Sequence, residues 1–528
     1  MRVARLTAFL LALLIAAPAL AQQTIAIGNG TEPETLDPHK ATDVSSAEII
    51  FQLFEGLVSY GPDAAIVPGV AERWERSADG LGYVFHLRDT ARWSDGSPVT
   101  AEDFVYSFRR ALDPKTGSSN ALLLYPIRQA EAIASGKEKD FSKLGVRAKD
   151  PHTLEIDLRG PTPYFLELMA HHIAIPVPRR AIEQWGEQWI QPGHLVGNGA
   201  FKLSEWVPQS KITVVKSATY WDATAVKLDS ATFRPIENET PEFNAFRAGE
   251  IDVTYTLPIP QLPSIRQNMK EDLQSGPLLA SYFYSFNLTR PPFKGNAKLR
   301  RALSEAIDRE ILTEKITAAG EQPAYSFTPP AIRDYTPPTL PWKDKSKDER
   351  VAEAKHLFAE AGYSTAKPLK FELLYNTLEQ HKRIALAIIA MWKQAFGAAI
   401  EVKLRNEEFK VMLATERARQ FEMVRMGWVA DYDDVNSFAD QLLSDAGPAN
   451  RPGYANPDYD RLVHQGQVTL DTKERARLYE GAEAIMLRDS PVIPLYFYVT
   501  KRLVKPYVQG WRDTVNDVHM LKYVSVNR

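Results

Sequence analysis

Apolar residues recur along this chain at two periods. Ile49, Ile50, Leu53, Phe54 and Leu57 follow helical spacing, and Ser45 with Glu48 three residues on has capping-box form, so a helix is predicted to start there. Tyr83, Phe85 and Leu87 alternate with Val84, His86 and Arg88, and Leu154, Ile156 and Leu158 alternate with charged neighbours, as half-buried strands do. Thr100 is placed to cap a helix carrying Phe104, Val105, Phe108 and Leu112, which Asp113-Pro114 stops. Further helices are predicted at 297–314, at 351–361 before Gly362, and at 381–396, where Ile384, Ile388, Met391 and Trp392 share a face. Strands are predicted near 211–216, 370–375 and 401–405, and the proline-rich stretches 257–263 and 329–341 read as loops or connections. Helices and strands alternate, so the class is α/β in several lobes.

The first 21 residues read as an address. Arg2 and Arg5 precede the apolar run LTAFLLALLIAAPA, and Ala19-Leu20-Ala21 is a small-x-small cleavage site before Gln22: a cleavable secretory signal. No later segment reaches the roughly 20 apolar residues of a membrane span. No cysteine follows to carry a lipid, and export without disulfides favours a bacterial periplasm. Asn-x-Thr triplets at Asn29, Asn238 and Asn287 leave a eukaryotic secretory route open.

Composition narrows the chemistry. The 528 residues suggest about three domains, and 44% hydrophobic with 24% charged residues excludes a disordered or multi-span chain. A net charge of -3 gives no footprint for nucleic acid. With zero Cys there are no disulfides, iron–sulfur clusters or thiol nucleophiles, and any metal would need His and carboxylate ligands. The chain has no G-x-S-x-G elbow, no Walker A loop and no H-E-x-x-H. His171-His172 is the one close histidine pair, and adjacent side chains diverge, so no metal or other cofactor is expected. Asp431-Tyr432-Asp433-Asp434 lacks the glycine and distal Glu of a calcium loop.

One segment stands apart. In FEMVRMGWVADYDD, Val424, Met426 and Trp428 alternate with Arg425, Gly427 and Val429, and the same period carries Asp431 onto the second face. At about 3.3 Å per residue, Arg425 and Asp431 lie roughly 20 Å apart along a strand. A short extended peptide fits that span with its ammonium at Asp431 and its carboxylate toward Arg425, running antiparallel and adding main-chain hydrogen bonds. Gly427 would admit its backbone closely. The same pattern also fits an ordinary strand ending in a turn, with two unrelated surface charges.

From Leu36 onward the chain resembles periplasmic oligopeptide-binding proteins, the peptide-receptor branch of the extracellular solute-binding proteins that serve ABC importers. The residues that carry this are LDPHKA at 36–41, LFEGL at 53–57, PGVAERW at 68–74, FHLR at 85–88, WSDGSPVTAEDFVYSFRRALDP at 93–114, NGAFKLSEW at 198–206, FRAGEIDVT at 246–254, LLYNTLEQHK at 373–382 and GWVADYDD at 427–434. The resemblance implies a bilobal fold closing like a flytrap, with an extra domain: lobe I at 22–54, 181–279 and 498–528, the extra domain at 55–180, and lobe III at 280–497.

It also implies roles. Asp431 corresponds to the carboxylate that grips the peptide's α-amino group. Gly427, Trp428 and Val429 correspond to the strand offering main-chain bonds to one peptide edge, and Thr42, Asp43 and Val44 to the element on the other. Arg425 and His381, with Asn376 nearby, correspond to groups meeting the C-terminal carboxylate; a structural ion pair and a capped helix start fit those residues too. Trp428 and Phe409 correspond to aromatic pocket walls. The chain departs from the family at Phe409, where relatives commonly have Trp, at Thr42, where some have an acidic residue, and at Asn120, where an aromatic lines the pocket; these bear on side-chain preference. The function implied is a monomeric periplasmic receptor, without cofactor, that captures short peptides and delivers them to a membrane permease with a cytoplasmic ATPase. Other cargo on the same scaffold (a murein peptide, a nickel chelate or haem) and, more remotely, a secreted peptide hydrolase stay open.

Overall fold

The computed structural model describes residues 22–528; the predicted signal, residues 1–21, lies outside the described residues. Two bodies with separate hydrophobic cores make up the fold. The first core joins residues between Ile25 and Phe233 with the C-terminal stretch Val504–Val526. It carries a four-stranded sheet in which Thr24–Gly28 lies parallel to Ser230–Arg234, followed by Lys211–Lys216 and Phe201–Val207. The same body carries an antiparallel sheet ordered Ala71–Arg76, Gly82–Leu87, Thr153–Asp157, Val146–Asp150.

The second body holds the cores formed between Leu279 and Tyr496. Its six-stranded mixed sheet runs Gln322–Pro323, Val492–Val499, Pro277–Phe286, Met423–Val429, Leu369–Asn376, Ile400–Glu407. Helices Ala297–Glu305, Lys347–Glu360 and Glu379–Phe396 pack against it, with Ile384, Ile388 and Trp392 buried on one face of the last. Two chain segments connect the bodies side by side. Leu273–Gln274 pairs with Arg502–Leu503, and Thr500 ties them again by donating its N–H to the Gly276 carbonyl at 2.9 Å.

Several predicted elements start elsewhere than the pattern suggests. The helix expected from Ser45 begins at Val44, because Asp43 lies one turn ahead and accepts from the Ser46 N–H at 2.7 Å; Ser45 turns inward and donates to the Asn29 carbonyl instead. The run 297–314 is broken. Ala297–Glu305 ends, Asp308 accepts from the Ile311 N–H at 3.1 Å, and a fresh turn opens that widens over Leu312–Thr317. Ser346 and Glu349 form a capping box that starts the next helix at Lys347 rather than 351. Part of the proline-rich 257–263 is helical, since Pro263 sits in the first turn of Leu262–Asn268, where its missing N–H costs nothing. Thr100 caps Ala101–Leu112 as the sequence predicts.

Candidate functional site

The site is built on the Met423–Val429 strand. Val424 is buried and Met426 and Trp428 are half-buried on one face, packing into the core beside Phe438; Gly427 and Val429 are exposed on the other, with Arg425 half-buried among them. One edge of the strand pairs along its whole length with Pro277–Phe286. The other edge pairs with Leu369–Asn376 only at Met423 and Val424. Beyond that point the neighbour stays with Ile400–Glu407 and the two strands diverge. From Arg425 to Val429 this edge therefore has no strand partner among the described residues, leaving main-chain donors and acceptors available.

Arg425 is held from three sides. It donates to the Tyr498 hydroxyl at 2.7 Å and to Asn376 Oδ1 at 3.3 Å, and its guanidinium lies 4.6 Å from the centre of the Tyr282 ring. The Tyr282 hydroxyl lies 3.3 Å from His381 Nδ1. Burial, helped by the Arg425 charge, pushes the His381 ring down to about 3, so it stays neutral. A Cβ at Gly427 would lie 3.2 Å from the Tyr498 hydroxyl and 3.3 Å from Arg425 Nη2, which makes glycine the residue that leaves room there. Arg425, Asn376, His381 and Gly427 thus form one cluster. No carboxylate pairs with Arg425 among the described residues.

Asp431 follows the strand. Its N–H donates to Ser437 Oγ at 3.0 Å, and its side chain opens into a cavity of about 560 Å³ between the bodies. Asn120, Leu122 and Tyr164 line this cavity from the first body, and Trp428, Asp431 and Asp440 from the second. Asp431 remains accessible from the cleft, yet the surrounding walls desolvate its carboxyl and raise it to about 6. No cation pairs with it among the described residues, and that isolates it from its neighbours. Arg475 grips Asp434 through two nitrogens at 2.8 and 2.7 Å, and Arg333 bridges Asp433 and Glu167 at 3.2 Å each. The Tyr432 ring stacks on Tyr164 of the first body at 5.2 Å.

The remaining predicted residues lie apart. Phe409 opens the helix Phe409–Arg417, is 49% exposed and does not line the cavity. Thr42, Asp43 and Val44 form the entry to a helix. The Asp43 carboxylate caps that helix, Thr42 donates to Glu34 at 3.3 Å, and Val44 is 51% exposed. They connect to the cavity through Asn120, whose amide donates to the Ala41 carbonyl at 3.1 Å. Tyr282, Tyr498 and Asp440 were missed. The two tyrosines stand in alternating apolar runs, ASYFYSF and PLYFYV, that read simply as core strands.

His172 sits against the Pro38 carbonyl at 2.7 Å. Asp513, Asp517 and His519 converge, but the Arg502 guanidinium already pairs with both carboxylates.

Residues 65–450 match the model of the bacterial extracellular solute-binding proteins, family 5 middle region. The chain belongs to that family. The periplasmic oligopeptide-binding protein OppA of Salmonella typhimurium is 39% identical over 504 residues, spanning 94% of this chain and 92% of its own. Among solved structures, the murein tripeptide-binding protein MppA in its unliganded open form aligns with a TM-score of 0.84 at 38% identity, over 96% of this chain and 98% of that one. Haemophilus influenzae OppA in complex with the peptide RPPGFSPFR aligns at 0.80 and 37% identity, over 96% and 99%. Asp431 lines the cavity between the bodies, and Arg425 and the unpaired strand edge lie on the strand just before it.

Proposed function

We propose that this protein is a periplasmic receptor that captures short peptides between its two bodies and delivers them to an ABC importer, a permease driven by a cytoplasmic ATPase. One observation carries the reading: among the described residues a carboxylate without a cation follows, six residues on, an arginine without a carboxylate, and the strand edge from that arginine to Val429 is unpaired. A free peptide complements all three at once. Its ammonium meets Asp431, its carboxylate meets Arg425 with Asn376 and His381 beside it, and its main chain pairs with Gly427–Val429. Main-chain groups are common to all peptides, so affinity depends little on sequence. The relatives named for oligopeptides and for a murein tripeptide support this ligand class.

The cycle needs binding and release only, with no bond broken and no cofactor. Export through the 1–21 signal, a monomeric receptor, and the division into lobe I, extra domain and lobe III at 22–54 with 181–279 and 498–528, 55–180, and 280–497 belong to the same proposal. Residues 42–44 would meet the far edge of the peptide when the bodies close. Trp428 and Phe409 would wall the side chains, Phe409 only after closure brings ligand to it. A nickel chelate or haem fits less well, since no histidine lines the cavity. Mass spectrometry of ligand released from freshly purified protein tests the reading: peptides of two to five residues are expected, and a porphyrin, a metal chelate or a peptide-free solute would overturn it.

A further inference from the structure

The cavity that holds Asp431 holds a second carboxylate, Asp440, on the turn after helix Asn436–Ala439. Its partners are amides only: Gln441 Nε2 donates at 3.2 Å and Asn436 Nδ2 approaches at 3.4 Å. No cation pairs with it among the described residues. Burial above all, then the charges of Asp431 and Asp434, push its carboxyl up to about 7 against the Gln441 hydrogen bond. The arginines of the lining do not offset this. Arg159 is exposed and paired with Glu131 at 2.6 Å, Arg451 faces Glu416 at 3.7 Å, and Arg417 is exposed at the rim, where solvent screens it. Tyr164, Tyr432 and Leu123 line the same cavity as Asp440; the two rings stack on each other, and Arg475, which pairs with Asp434, lies 5.7 Å from the Tyr164 ring centre.

Asp431 and Asp440 line the same cavity, and of the side chains of a peptide held by its ammonium at Asp431 the first is attached nearest to that ammonium. Resting on the peptide reading above, we propose that Asp440 is a specificity-determining residue that selects peptides whose first side chain carries a positive charge. Asp431 takes the α-ammonium, which every free peptide has, and Asp440 takes the side-chain ammonium or guanidinium, which only basic first residues have. The second charge also relieves the repulsion between the two carboxylates, a gain that a neutral side chain cannot make.

Calorimetry with three tripeptides tests this on the full-length mature protein: Lys-Ala-Ala, its uncharged near-isostere norleucine-Ala-Ala, and Ala-Lys-Ala, which carries the same charge one position later. Wild-type protein is expected to bind Lys-Ala-Ala at least about tenfold more tightly than norleucine-Ala-Ala, the size of a charged hydrogen bond. In Asp440→Asn that preference should fall below about threefold through weaker binding of Lys-Ala-Ala, with norleucine-Ala-Ala and Ala-Lys-Ala held within about threefold of wild type. Equal affinity of wild type for Lys-Ala-Ala and norleucine-Ala-Ala overturns the proposal without any variant. An Asp440→Asn loss as large for Ala-Lys-Ala as for Lys-Ala-Ala also overturns it, since general charge attraction would then suffice. If none of the three binds wild type, the peptide reading falls first and this proposal with it.

Discussion

If Asp431 holds the peptide ammonium as proposed, it sets the sign of the pH dependence. Its carboxyl, raised to about 6 by burial, must be ionised to hold an ammonium. Below pH 6 the free protein carries a proton there that has to leave on binding, so affinity should fall by up to about tenfold for each pH unit from 6 downward. Calorimetry with one tripeptide at pH 7, 6 and 5 checks this, and a flat profile would remove Asp431 from its role. His381 should not add to that slope, because it is already neutral across the range. Gly427→Val would press on Tyr498 and Arg425 at the strand edge, and is expected to weaken tripeptide binding about tenfold or more while shifting the melting temperature by only a few degrees. The alternation of the 424–431 segment singles out Arg425 and Asp431 in the sequence, although the strand itself ends at Val429 and Asp431 lies just beyond it. The groups that position Arg425 were not legible, because Tyr282 and Tyr498 lie far away in sequence and reach it only through strand pairing.

At the scale of elements, the divergence of two strands after Val424 leaves unpaired the edge that the proposed peptide would join. Each main-chain hydrogen bond made there is worth about 0.5–1.5 kcal/mol net. A tripeptide N-methylated at its central amide should therefore bind roughly two- to tenfold more weakly than its parent, and unchanged affinity would argue against strand addition. Helix caps are a separate matter of stability. Asp43→Ala removes the cap of Val44–Leu53 and is expected to cost about 1 kcal/mol, read as a drop of about 1–2 °C in thermal unfolding. Here the sequence was informative about which elements exist and poor about where they begin. Periodicity extends past a cap whenever apolar residues continue, as 297–314 does across Asp308, and only the carboxylate that wins the first free N–H decides the start.

At the scale of the molecule, Asp431 is followed by three residues engaged elsewhere. Tyr432 belongs to the first body's core, Asp433 shares Arg333 with Glu167, and Asp434 is clamped by Arg475, which also lies 5.7 Å from the Tyr164 ring centre. The segment proposed to meet the ligand is thus the segment that touches the opposite body, so under that proposal binding and closure would act on the same four residues. Arg333→Ala should leave Glu167 and Asp433 facing each other without their shared cation. A larger radius of gyration for the ligand-free protein by X-ray scattering and a two- to tenfold weaker tripeptide affinity are expected, roughly the effect of a partly exposed bridge. None of this was legible as a device in the sequence, where 431–434 reads as an acidic turn; the two-body plan came from the family resemblance, because the paired crossings near Gly276 and Thr500 leave no compositional mark. The central claim, that a peptide is gripped by its charged amino end, is tested most directly by calorimetry of one tripeptide and its N-acetylated form on the same preparation. The free peptide should bind at least about tenfold more tightly, since acetylation leaves Asp431 buried against a neutral group; equal affinities would contradict the account.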